Sequence, residues 1–479
     1  MIPLMIAGAA SGVGKTTIAI GVMGALGRRG LSVAPFKTGP DYIDPSYHLA
    51  VTGNPSRNLD TWLTSPEVAV EIFNRGSSGT DAAVIEGAMG LFDGRSGAGD
   101  QCSSAEIARL TDSAVLLVVD CSRMARSLAP LLAGYAAFDP RVHMAGTILN
   151  NVGSASHGRV LEDAAREAGV PVLGVVPRRP DLGLSSRHLG LVPAGERAGS
   201  SGGDQEETLE DVLEHIVDHI EENIDVEALL QLRLVPGGVS GSGADMPVAA
   251  GESAAPASGS VAVHRARLAV ALDEAFSFYY IDSLEALAAA GAELVYFSPM
   301  RDEALPACDG LYLGGGYPEV HARELEANSS MRASVAAAVS DGLPTYAECG
   351  GLVYLCESVE VDGARHSMSG VLPMNARMTA HRQALGYVEA EARRGSLLLG
   401  PGERVRGHEF HWSVVEWRED RLAYDCFSSR EPGPRPDGYA GGNLLATYVH
   451  LHFAGNTAAA SRFIDACAGV GEVAANATA

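Results

Sequence analysis

The sequence predicts an α/β protein of two domains, a P-loop parallel-sheet domain and a second α/β domain, with a flexible linker between them. Short, continuously apolar runs alternate with helical patterns in both halves, which is typical of parallel strands buried on both faces. A glycine-rich loop, AGAASGVGKTT (7–17), follows the first run, and the polar stretch 236–260 separates the halves. The 479 residues also exceed what one hydrophobic core usually supports.

The first half contains six apolar runs that we expect to be strands. A helix is expected over 15–29, directly after the glycine-rich loop. Residues 205–232 place Leu213, Ile216 and Ile220 at helical spacing between acidic residues, which predicts an amphipathic helix packed on this domain. The expected strands are PLMIAGA (3–9), LSVAPFK (31–37), AAVIEG (82–87), AVLLVVD (114–120), MAGTILN (144–150) and PVLGVVP (171–177).

The rhythm of strands and helices restarts after the linker. The linker sequence, PGGVSGSGADMPVAAGESAAPASGS, has almost no side chains to bury. We therefore expect an ATP-binding domain over 1–235, a linker over 236–261 and a second α/β domain over 262–479. Strands of the second domain are expected at RLAVALD (267–273), ELVYFSP (293–299), GLYLGGG (310–316) and PTYAECGG (344–351).

The composition argues against nucleic acid and membranes as partners. The formal net charge is −24, and no cluster of Lys and Arg offers the basic face that phosphate backbones require. No apolar run approaches the roughly 18 residues that a membrane span needs. Seven cysteines without any C-x-x-C pair favour a reducing compartment, so we expect a cytoplasmic protein.

The glycine-rich loop predicts a nucleotide site. Gly12 and Gly14 let the backbone turn its N–H groups inward, and the loop opens a helix whose N-terminus attracts phosphate. Lys15 can reach the β and γ phosphates, and Thr16 can ligate Mg²⁺. We expect ATP and Mg²⁺ here, with nucleotide contacts from Gly12, Gly14, Lys15, Thr16 and Thr17.

Four acidic residues lie near the same predicted edge of the sheet. Asp41 and Asp44, in GPDYIDPSYH (39–48), follow the second strand, and ligands bind beyond the carboxyl ends of parallel strands. Glu86 directly follows a buried strand, where a carboxylate would meet the Mg²⁺ of a P-loop. Asp93 lies in the next glycine-punctuated loop. The alternative is that Asp41, Asp44 and Asp93 only form turns or cap a helix.

A cysteine nucleophile is predicted in the second domain. In YAECGGLVYL (346–355) a strand turns at Cys349, and two glycines open a helix. Such a strand-to-helix elbow exposes a nucleophile. We expect the helix N-terminus to lower the pKa of the Cys349 thiol and to help stabilise an oxyanion.

The same domain offers a base and a second oxyanion donor. His450 and His452, in TYVHLHF (447–453), share one face of a predicted strand. LGGGYPE (313–319) is a strand followed by three glycines, suited to presenting a backbone N–H. We expect Gly315 and Gly350 to form the oxyanion hole.

These residues together resemble one family, the cobyrinic acid a,c-diamide synthases, which are ATP-dependent glutamine amidotransferases of tetrapyrrole biosynthesis. The resemblance implies a first domain similar to dethiobiotin synthetase and a second domain of the class I glutamine amidotransferase type, with Cys349 as nucleophile and His450 as its base. Ordinary class I members carry a Glu where this chain has His452, so a Cys/His dyad or a different orienting group is expected. The matching blocks are SGVGKTT, PFKTGPDYIDP, RNLD, VIEGAMGLFDG, FSFYY, YFSPM, LYLGGGYPE, YAECGGLVYL, LGYVEA, RGHEFHWS and YVHLHF.

The resemblance also implies substrates and roles. They are a tetrapyrrole polycarboxylate and L-glutamine, with an acyl phosphate formed from ATP and ammonia carried between the domains. Asp41, Tyr42 and Asp44 would line the ATP and substrate side, and Asn150 would contact the nucleotide base. Mg²⁺ would be held by Thr16, Asp41 and Glu86.

Several alternatives stay open at this point. The same reaction on nickel-sirohydrochlorin or hydrogenobyrinic acid would use the same motifs. Amidation of the cobyric acid synthase type and a P-loop ATPase without a biosynthetic role are further alternatives, although the GPDYIDP block favours the a,c-diamide reaction. A homodimer is neither required nor excluded. Four basic residues either bind substrate carboxylates or pack structurally, namely Arg377, Arg382, Arg406 and His408.

Overall fold

The computed structural model describes residues 1–179, 182, 186–187, 190–191, 208–232, 264–429 and 433–469. The predicted linker over 236–261 lies outside the described residues. None of the helices in the described ranges has the length and apolar character required to cross a bilayer.

The first half forms a seven-stranded sheet in which every neighbouring pair is parallel, in the order β3-β2-β4-β1-β5-β6-β7. This confirms the predicted parallel sheet. A short antiparallel pair, β8 and β9, follows. The strands are β1 Ile2–Gly8, β2 Val33–Thr38, β3 Arg57–Leu59, β4 Ala82–Glu86, β5 Ala114–Asp120, β6 Met144–Val152, β7 Val172–Pro177, β8 Ser186–Arg187 and β9 Gly190–Leu191.

Helices cover both faces of this sheet, so two separate apolar clusters form, one on each side. The strands contribute continuous apolar side chains to both clusters, as the sequence predicts. The helices are α1 Lys15–Arg28, α2 Asp44–Thr52, α3 Pro66–Ser77, α4 Ser104–Leu110, α5 Leu128–Phe138, α6 Ala155–Glu167, α7 Leu209–Asn223 and α8 Val226–Gln231.

Helix α7 packs against α1, which confirms an amphipathic helix in this region, but the expected single helix over 205–232 is divided into α7 and α8 by the extended residue Ile224. Two glycines on α1 allow the close approach. A Cβ at Gly21 would lie 2.3 Å from Ile220, and one at Gly24 would lie 2.3 Å from Val217. Any larger residue at either glycine would push the helices apart, because backbone and branched side chains meet here without a gap.

The second half forms a ten-stranded mixed sheet and a smaller sheet of four strands. The large sheet has the order β11-β10-β12-β13-β22-β21-β20-β17-β18-β23, parallel from β11 to β22 and antiparallel beyond. The smaller sheet has the order β15-β14-β16-β19. The strands are β10 Ala266–Ala271, β11 Ala292–Phe297, β12 Gly310–Leu313, β13 Thr345–Glu348, β14 Cys356–Val361, β15 Ala364–Ser367, β16 Leu372–Met378, β17 Ala384–Ala392, β18 Arg404–His411, β19 Ser413–Val415, β20 Leu422–Ser428, β21 Arg435–Gly441, β22 Leu444–Thr447 and β23 His450–Leu451.

The helices of this half pack on the parallel strands. They are α9 Ile281–Ala289, α10 Ala322–Ala327, α11 Ser329–Ser340, α12 Gly350–Leu355 and α13 Thr457–Cys467, with short 3-10 turns at Glu419–Arg421 and Phe453–Gly455.

The two halves meet along a junction that is rich in charged and aromatic contacts. Arg57 of β3 donates to Asp282 of α9 at 2.5 Å and to Glu285 at 2.6 Å. The Tyr387 hydroxyl of β17 donates to Asp60 Oδ2 at 2.7 Å. Asp282 is 1 % exposed, so this ion pair is sheltered from solvent and fixes one half against the other more firmly than a surface pair would.

Candidate active site

The glycine-rich loop has the backbone that phosphate binding requires. Gly12 and Gly14 take φ values of 77° and 91°, which favour glycine, and α1 begins at Lys15. The Lys15 ammonium group donates to the carbonyls of Ala10 at 3.2 Å and Met89 at 2.7 Å. Burial lowers the pKa of Lys15, and the nearby charge of Lys37 lowers it further.

Glu86 is the centre of a buried polar cluster at the end of β4. Its Oε1 accepts from the Thr16 hydroxyl at 2.7 Å and from the Lys37 ammonium group at 3.0 Å. Its Oε2 lies 2.7 Å from His48 Nε2. Glu86, Lys37 and His48 are all buried. The predicted neighbours Thr16 and Glu86 therefore lie in direct contact, whereas Lys37 and His48 were not predicted.

In this cluster the single positive charge of Lys37 pairs with two carboxylates. It lies 2.6 Å from Asp44 and 3.0 Å from Glu86. Burial would lower the pKa of Lys37, but Asp44 and Glu86 raise it overall. Burial would raise the pKa of Glu86, but Lys37 and His48 hold it below its ordinary value. Burial, followed by the charges of Asp41 and Glu86, raises the pKa of Asp44. A further cation at this place would be stabilised.

In the GPDYIDP segment, the side chains of Asp41, Tyr42 and Asp44 point in three different directions. Asp41 Oδ1 accepts from the backbone N–H of Ile43 at 2.8 Å and of Asp44 at 3.0 Å, so it caps the start of α2. Asp44 turns inward to Lys37. Tyr42 points to the other domain, where its ring stacks on Phe278 at 4.9 Å. The turn-forming alternative for Asp41 is thus part of the structure, although Asp41 Oδ2 takes no hydrogen bond from the described residues.

Asp93 and Asn150 brace the loops of the nucleotide site. Asp93 Oδ2 accepts from the Gly90 N–H at 2.9 Å, as a turn-forming residue does. The Asn150 amide donates to the Val13 carbonyl at 2.8 Å and lies against Gly14, where a Cβ would be 2.4 Å from its nitrogen. These contacts place both residues beside the P-loop, and a contact of Asn150 with a nucleotide base stays a prediction.

A cavity of about 1410 Å³ extends from the P-loop to the second domain. Its lining on one side includes the P-loop residues together with Asp41, Asp44, Glu86 and Asp93. On the other side it includes Phe278, Tyr387, His408, Phe410 and His450. Three arginines, Arg95, Arg382 and Arg435, also line this cavity, whereas Arg377 and Arg406 are absent from its described lining. The guanidinium group of Arg406 lies over the Trp62 ring instead, at 4.3 Å.

Cys349 occupies the strained elbow that the sequence predicts. Its φ of 47° and ψ of −95° are unusual for a residue with a side chain, and α12 starts at Gly350. A small pocket of about 30 Å³ beside it is lined by Tyr317, Glu319 and Trp412 among others. Burial, followed by the charge of Glu319, raises the pKa of the Cys349 thiol. The expected lowering by the helix N-terminus is therefore wrong, because burial raises the pKa more than the backbone N–H of Gly350, at the start of the six-residue helix α12, lowers it.

The glycines near Cys349 are packed too closely for any side chain. A Cβ at Gly350 would lie 3.0 Å from the Gly316 nitrogen, and one at Gly315 would lie 2.5 Å from Cε1 of His450. The peptide between Gly315 and Gly316 therefore lies against the elbow, and the His450 ring lies against Gly315. A role of Gly315 and Gly350 in an oxyanion hole stays a prediction.

Four buried histidines surround this region. His450 and His408 face each other on β23 and β18. His452 stacks on Tyr280 at 4.6 Å. His411 lines the Cys349 pocket, and its Nδ1 lies 2.8 Å from the Ser413 carbonyl. The Cys349 thiol donates to the Phe410 carbonyl at 3.9 Å.

These histidines make stability depend on pH, and we expect the protein to lose stability as the pH falls from 6.5 towards 4. Burial lowers the pKa of His408 and His452 to about 3 and that of His411 to about 4. Below pH 6.5 the unfolded chain protonates these rings and the folded chain does not, so the free energy of unfolding decreases. One pKa unit is worth about 1.4 kcal/mol, so each ring costs up to about 2 kcal/mol at about pH 5.

Urea unfolding at about pH 7.5 and about pH 5 measures this loss through the transition midpoint. The variant His452→Gln, which removes one titrating ring, should show a smaller difference between the two midpoints. Equal midpoints for the wild-type protein at both pH values would contradict the prediction.

Sequence reasoning missed Lys37, although a signal was available. The chain contains only two lysines, Lys15 and Lys37, among 35 basic Lys and Arg residues. Both lie in this site, and elsewhere the chain uses arginine. Lysine is a compact point charge, which suits a phosphate or a buried carboxylate better than the broad guanidinium group does. His48, Arg435, Phe278 and Phe410 carried no comparable signal, because their proximity arises only from tertiary packing.

The comparisons with known proteins agree with this geometry. Residues 4–192 match the model of the CobQ/CobB/MinD/ParA nucleotide binding domain. Residues 267–458 match the model of the CobB/CobQ-like glutamine amidotransferase domain. The fold and the site thus define the class of protein, which is an α/β enzyme with a glutamine amidotransferase domain joined to a nucleotide-binding domain.

Curated relatives specify the family. A hydrogenobyrinate a,c-diamide synthase of Streptomyces coelicolor is 43% identical over 97% of this chain and 97% of its own length. A cobyrinate a,c-diamide synthase of Syntrophotalea carbinolica is 43% identical over 97% of this chain and 98% of its own. The chain belongs to the family of cobyrinate and hydrogenobyrinate a,c-diamide synthases, which confirms the family resemblance seen in the sequence.

Proposed function

We propose that the protein uses ATP and glutamine to amidate the a and c acetate side chains of a cobyrinate-type tetrapyrrole. The observation that carries this proposal is the single cavity that has the P-loop on one wall and the glutaminase-side residues His450 and Phe410 on the other. Its volume of about 1410 Å³ exceeds that of an ordinary small-molecule pocket, so it has room for a large substrate beside a nucleotide. The names of the full-length relatives supply the substrate class.

The synthetase half activates a carboxylate. A carboxylate oxygen of the substrate attacks the γ-phosphorus of ATP, ADP leaves, and an acyl phosphate forms. Ammonia then attacks the acyl carbon. The bond between this carbon and the phosphate oxygen breaks, and inorganic phosphate leaves. Lys15 and the N–H groups of the glycine-rich loop bind the phosphates, and Lys37 keeps Asp44 and Glu86 in place.

The residues around Glu86 fit a Mg²⁺ ion. Thr16, Asp41 and Glu86 offer only oxygen ligands, which Mg²⁺ prefers. Burial, followed by the charges of Asp41 and Glu86, raises the pKa of Asp44, and a cation at this place would offset those negative charges. Bound Mg²⁺ would offset the negative charge of the phosphates during transfer.

The glutaminase half supplies ammonia. The Cys349 sulfur attacks the side-chain carbonyl carbon of glutamine, and His450 takes the thiol proton and passes it to the leaving nitrogen. Water then hydrolyses the thioester to glutamate. The raised pKa of Cys349 means that the thiol keeps its proton until a substrate and a base are in place.

Ammonia would pass from the Cys349 pocket to the large cavity past Phe278 and Phe410. These two residues line both spaces, so the two spaces adjoin at Phe278 and Phe410. Tyr42 packs on Phe278 at 4.9 Å and lies 5.5 Å from the His450 ring. The rings of Phe278 and Phe410 suit the passage of neutral ammonia, because neither side chain carries a group that would protonate it.

An amidation assay identifies which tetrapyrrole is the substrate. The protein is incubated with cobyrinate, hydrogenobyrinate or nickel-sirohydrochlorin, each with ATP, Mg²⁺ and glutamine, and the products are read by mass spectrometry. We expect two acid-to-amide conversions on cobyrinate or hydrogenobyrinate, and none without ATP. Two conversions on nickel-sirohydrochlorin alone would assign a different ring to the same chemistry, and more than two on any ring would favour the cobyric acid synthase type.

Asp41→Asn and Asp44→Asn are expected to fold normally, to hydrolyse glutamine, and to lose amidation by about 100-fold or more, the scale of a positioned catalytic group. Asn at position 41 keeps the helix cap but loses the charge that Mg²⁺ or the reacting carboxylate needs. Steady-state amidation with saturating ammonia measures the loss, and the melting temperature controls for folding. Near-normal amidation by both variants would show that these residues act only as turn formers.

A further inference from the structure

Glu348, the residue directly before the nucleophile, is a buried carboxylate with no role assigned so far. It ends β13 and is 1 % exposed. Its Oε1 accepts from the Tyr346 hydroxyl at 2.5 Å and from the Leu451 backbone N–H at 3.0 Å. Its Oε2 accepts from the Tyr312 hydroxyl at 3.0 Å. Three donors from three strands therefore fix both oxygens.

The fixed oxygen Oε2 faces the proposed base. It lies 3.6 Å from Nδ1 of His450. That nitrogen is buried and takes no hydrogen bond from any other described residue. A separation of 3.6 Å is too long for a hydrogen bond, but catalytic contacts are often long before the substrate binds and shorten afterwards. The Cε1 and Nδ1 atoms of the His450 ring also lie against Gly315, and His450 lines the large cavity.

The residue in the usual position of the third triad member has a different environment. His452 stacks on Tyr280 at 4.6 Å, and both of its ring nitrogens lack a hydrogen-bond partner in the described part of the chain. Burial lowers the pKa of His452 to about 3, so the ring is neutral. A neutral ring held by stacking cannot stabilise a positive charge on His450.

We propose that Glu348 is the positioning residue of His450 and completes a Cys–His–Glu arrangement from the N-terminal side of the nucleophile. The proposal rests on the proposed roles of Cys349 and His450. The Nδ1–H of His450 donates to Glu348, which leaves Nε2 to take the proton from the Cys349 thiol as the sulfur–carbon bond forms. The carboxylate stabilises the imidazolium group until its proton passes to the departing ammonia.

His411 offers a rival arrangement. It lines the Cys349 pocket, and its Nδ1 donor can be held by the Ser413 carbonyl at 2.8 Å. A carbonyl orients a ring, but it has no full negative charge with which to stabilise an imidazolium group. Burial lowers the pKa of His411 to about 4, which makes it a weak base. If His411 were the base, changes at Glu348 would have little effect on glutamine hydrolysis.

The test compares Glu348→Gln with a matched control, Asp437→Asn. Asp437 is a buried carboxylate on β21, two strands from Glu348 in the same sheet, and accepts from the Tyr448 N–H at 3.2 Å. For Glu348→Gln we expect kcat of glutamine hydrolysis to fall by about 100-fold or more with little change in KM. The acid limb of the pH profile should move to lower pH by about one unit, because the imidazolium group loses its negative neighbour. Asp437→Asn should change neither the kcat of glutamine hydrolysis nor the acid limb of the pH profile.

Ammonia-dependent amidation and the melting temperature show whether each variant is folded, and Glu348→Asp should recover part of the lost rate. Glutamine hydrolysis by Glu348→Gln within about threefold of wild type would overturn the proposal. The same result together with an inactive His411→Asn would transfer the role of base to His411. If Cys349→Ser still hydrolysed glutamine, the proposed function itself would fail, which is a distinct outcome.

Discussion

Cys349→Ser is expected to abolish amidation with glutamine while amidation with a high concentration of ammonium salt stays near the wild-type rate. Only the release of ammonia from glutamine needs the sulfur nucleophile, and the loss of a nucleophile typically costs about 10⁴-fold or more. The pocket of Cys349 is separated from the P-loop cavity by Phe278 and Phe410, so the synthetase residues stay in place. Initial rates with each nitrogen donor, read by product mass, measure both activities.

A suitable control is Cys356→Ser, which replaces a second buried cysteine at the opposite end of α12 from the elbow. Cys356 does not line the small pocket, so its replacement should leave both activities within about threefold of wild type. Equal losses with glutamine and with ammonia in Cys349→Ser would contradict the assignment of two separate sites.

Glu86→Gln is expected to remove amidation with both nitrogen donors, by about 10³-fold or more. No ammonia source replaces the acyl phosphate, and Glu86 is the acceptor for Thr16, Lys37 and His48 at once. Lys15→Ala should have the same effect, because it removes the charge that reaches the phosphates. Glutamine hydrolysis should persist at a basal level in both variants. Product mass and glutamate release from the same samples separate the two activities.

The matched control is Asp139→Asn, a carboxylate of the same domain whose Oδ2 accepts from Arg109 at 2.9 Å and which is absent from the described lining of the large cavity. It should retain amidation within about threefold of wild type. A Glu86→Gln or Lys15→Ala protein with normal ammonia-dependent turnover would contradict the P-loop assignment.

The first domain was predictable because its strands are buried on both faces. The expected strand 114–120 coincides with β5, and its residues pack into clusters on both sides of the sheet. The antiparallel part of the second sheet was not predicted. The side chains of its strands alternate between buried and exposed, and the strands pair with segments far away in the chain, as β18 does with β23. A local sequence pattern therefore does not predict these strands.

Motif spacing located Cys349, Glu86 and Thr16, because each follows a strand end that the hydrophobic pattern reveals. The same reasoning could not give the direction of Tyr42, which lines the large cavity and stacks on Phe278 of the other domain. It also did not single out Glu348, which reads as the last residue of a strand. Its role depends on His450, which lies about a hundred residues further along the chain and meets it only through the packing of β13 against β22.

We propose that two sites in one chain form the amides together, with nitrogen passing internally from glutamine. The direct measurement is amidation of the tetrapyrrole with ATP and glutamine labelled with ¹⁵N in its side-chain amide, in the presence of an excess of unlabelled ammonium. We expect two new amides that both retain the ¹⁵N label. Amides whose label is diluted to the level of the surrounding ammonium, or a ring without new amides, would contradict it.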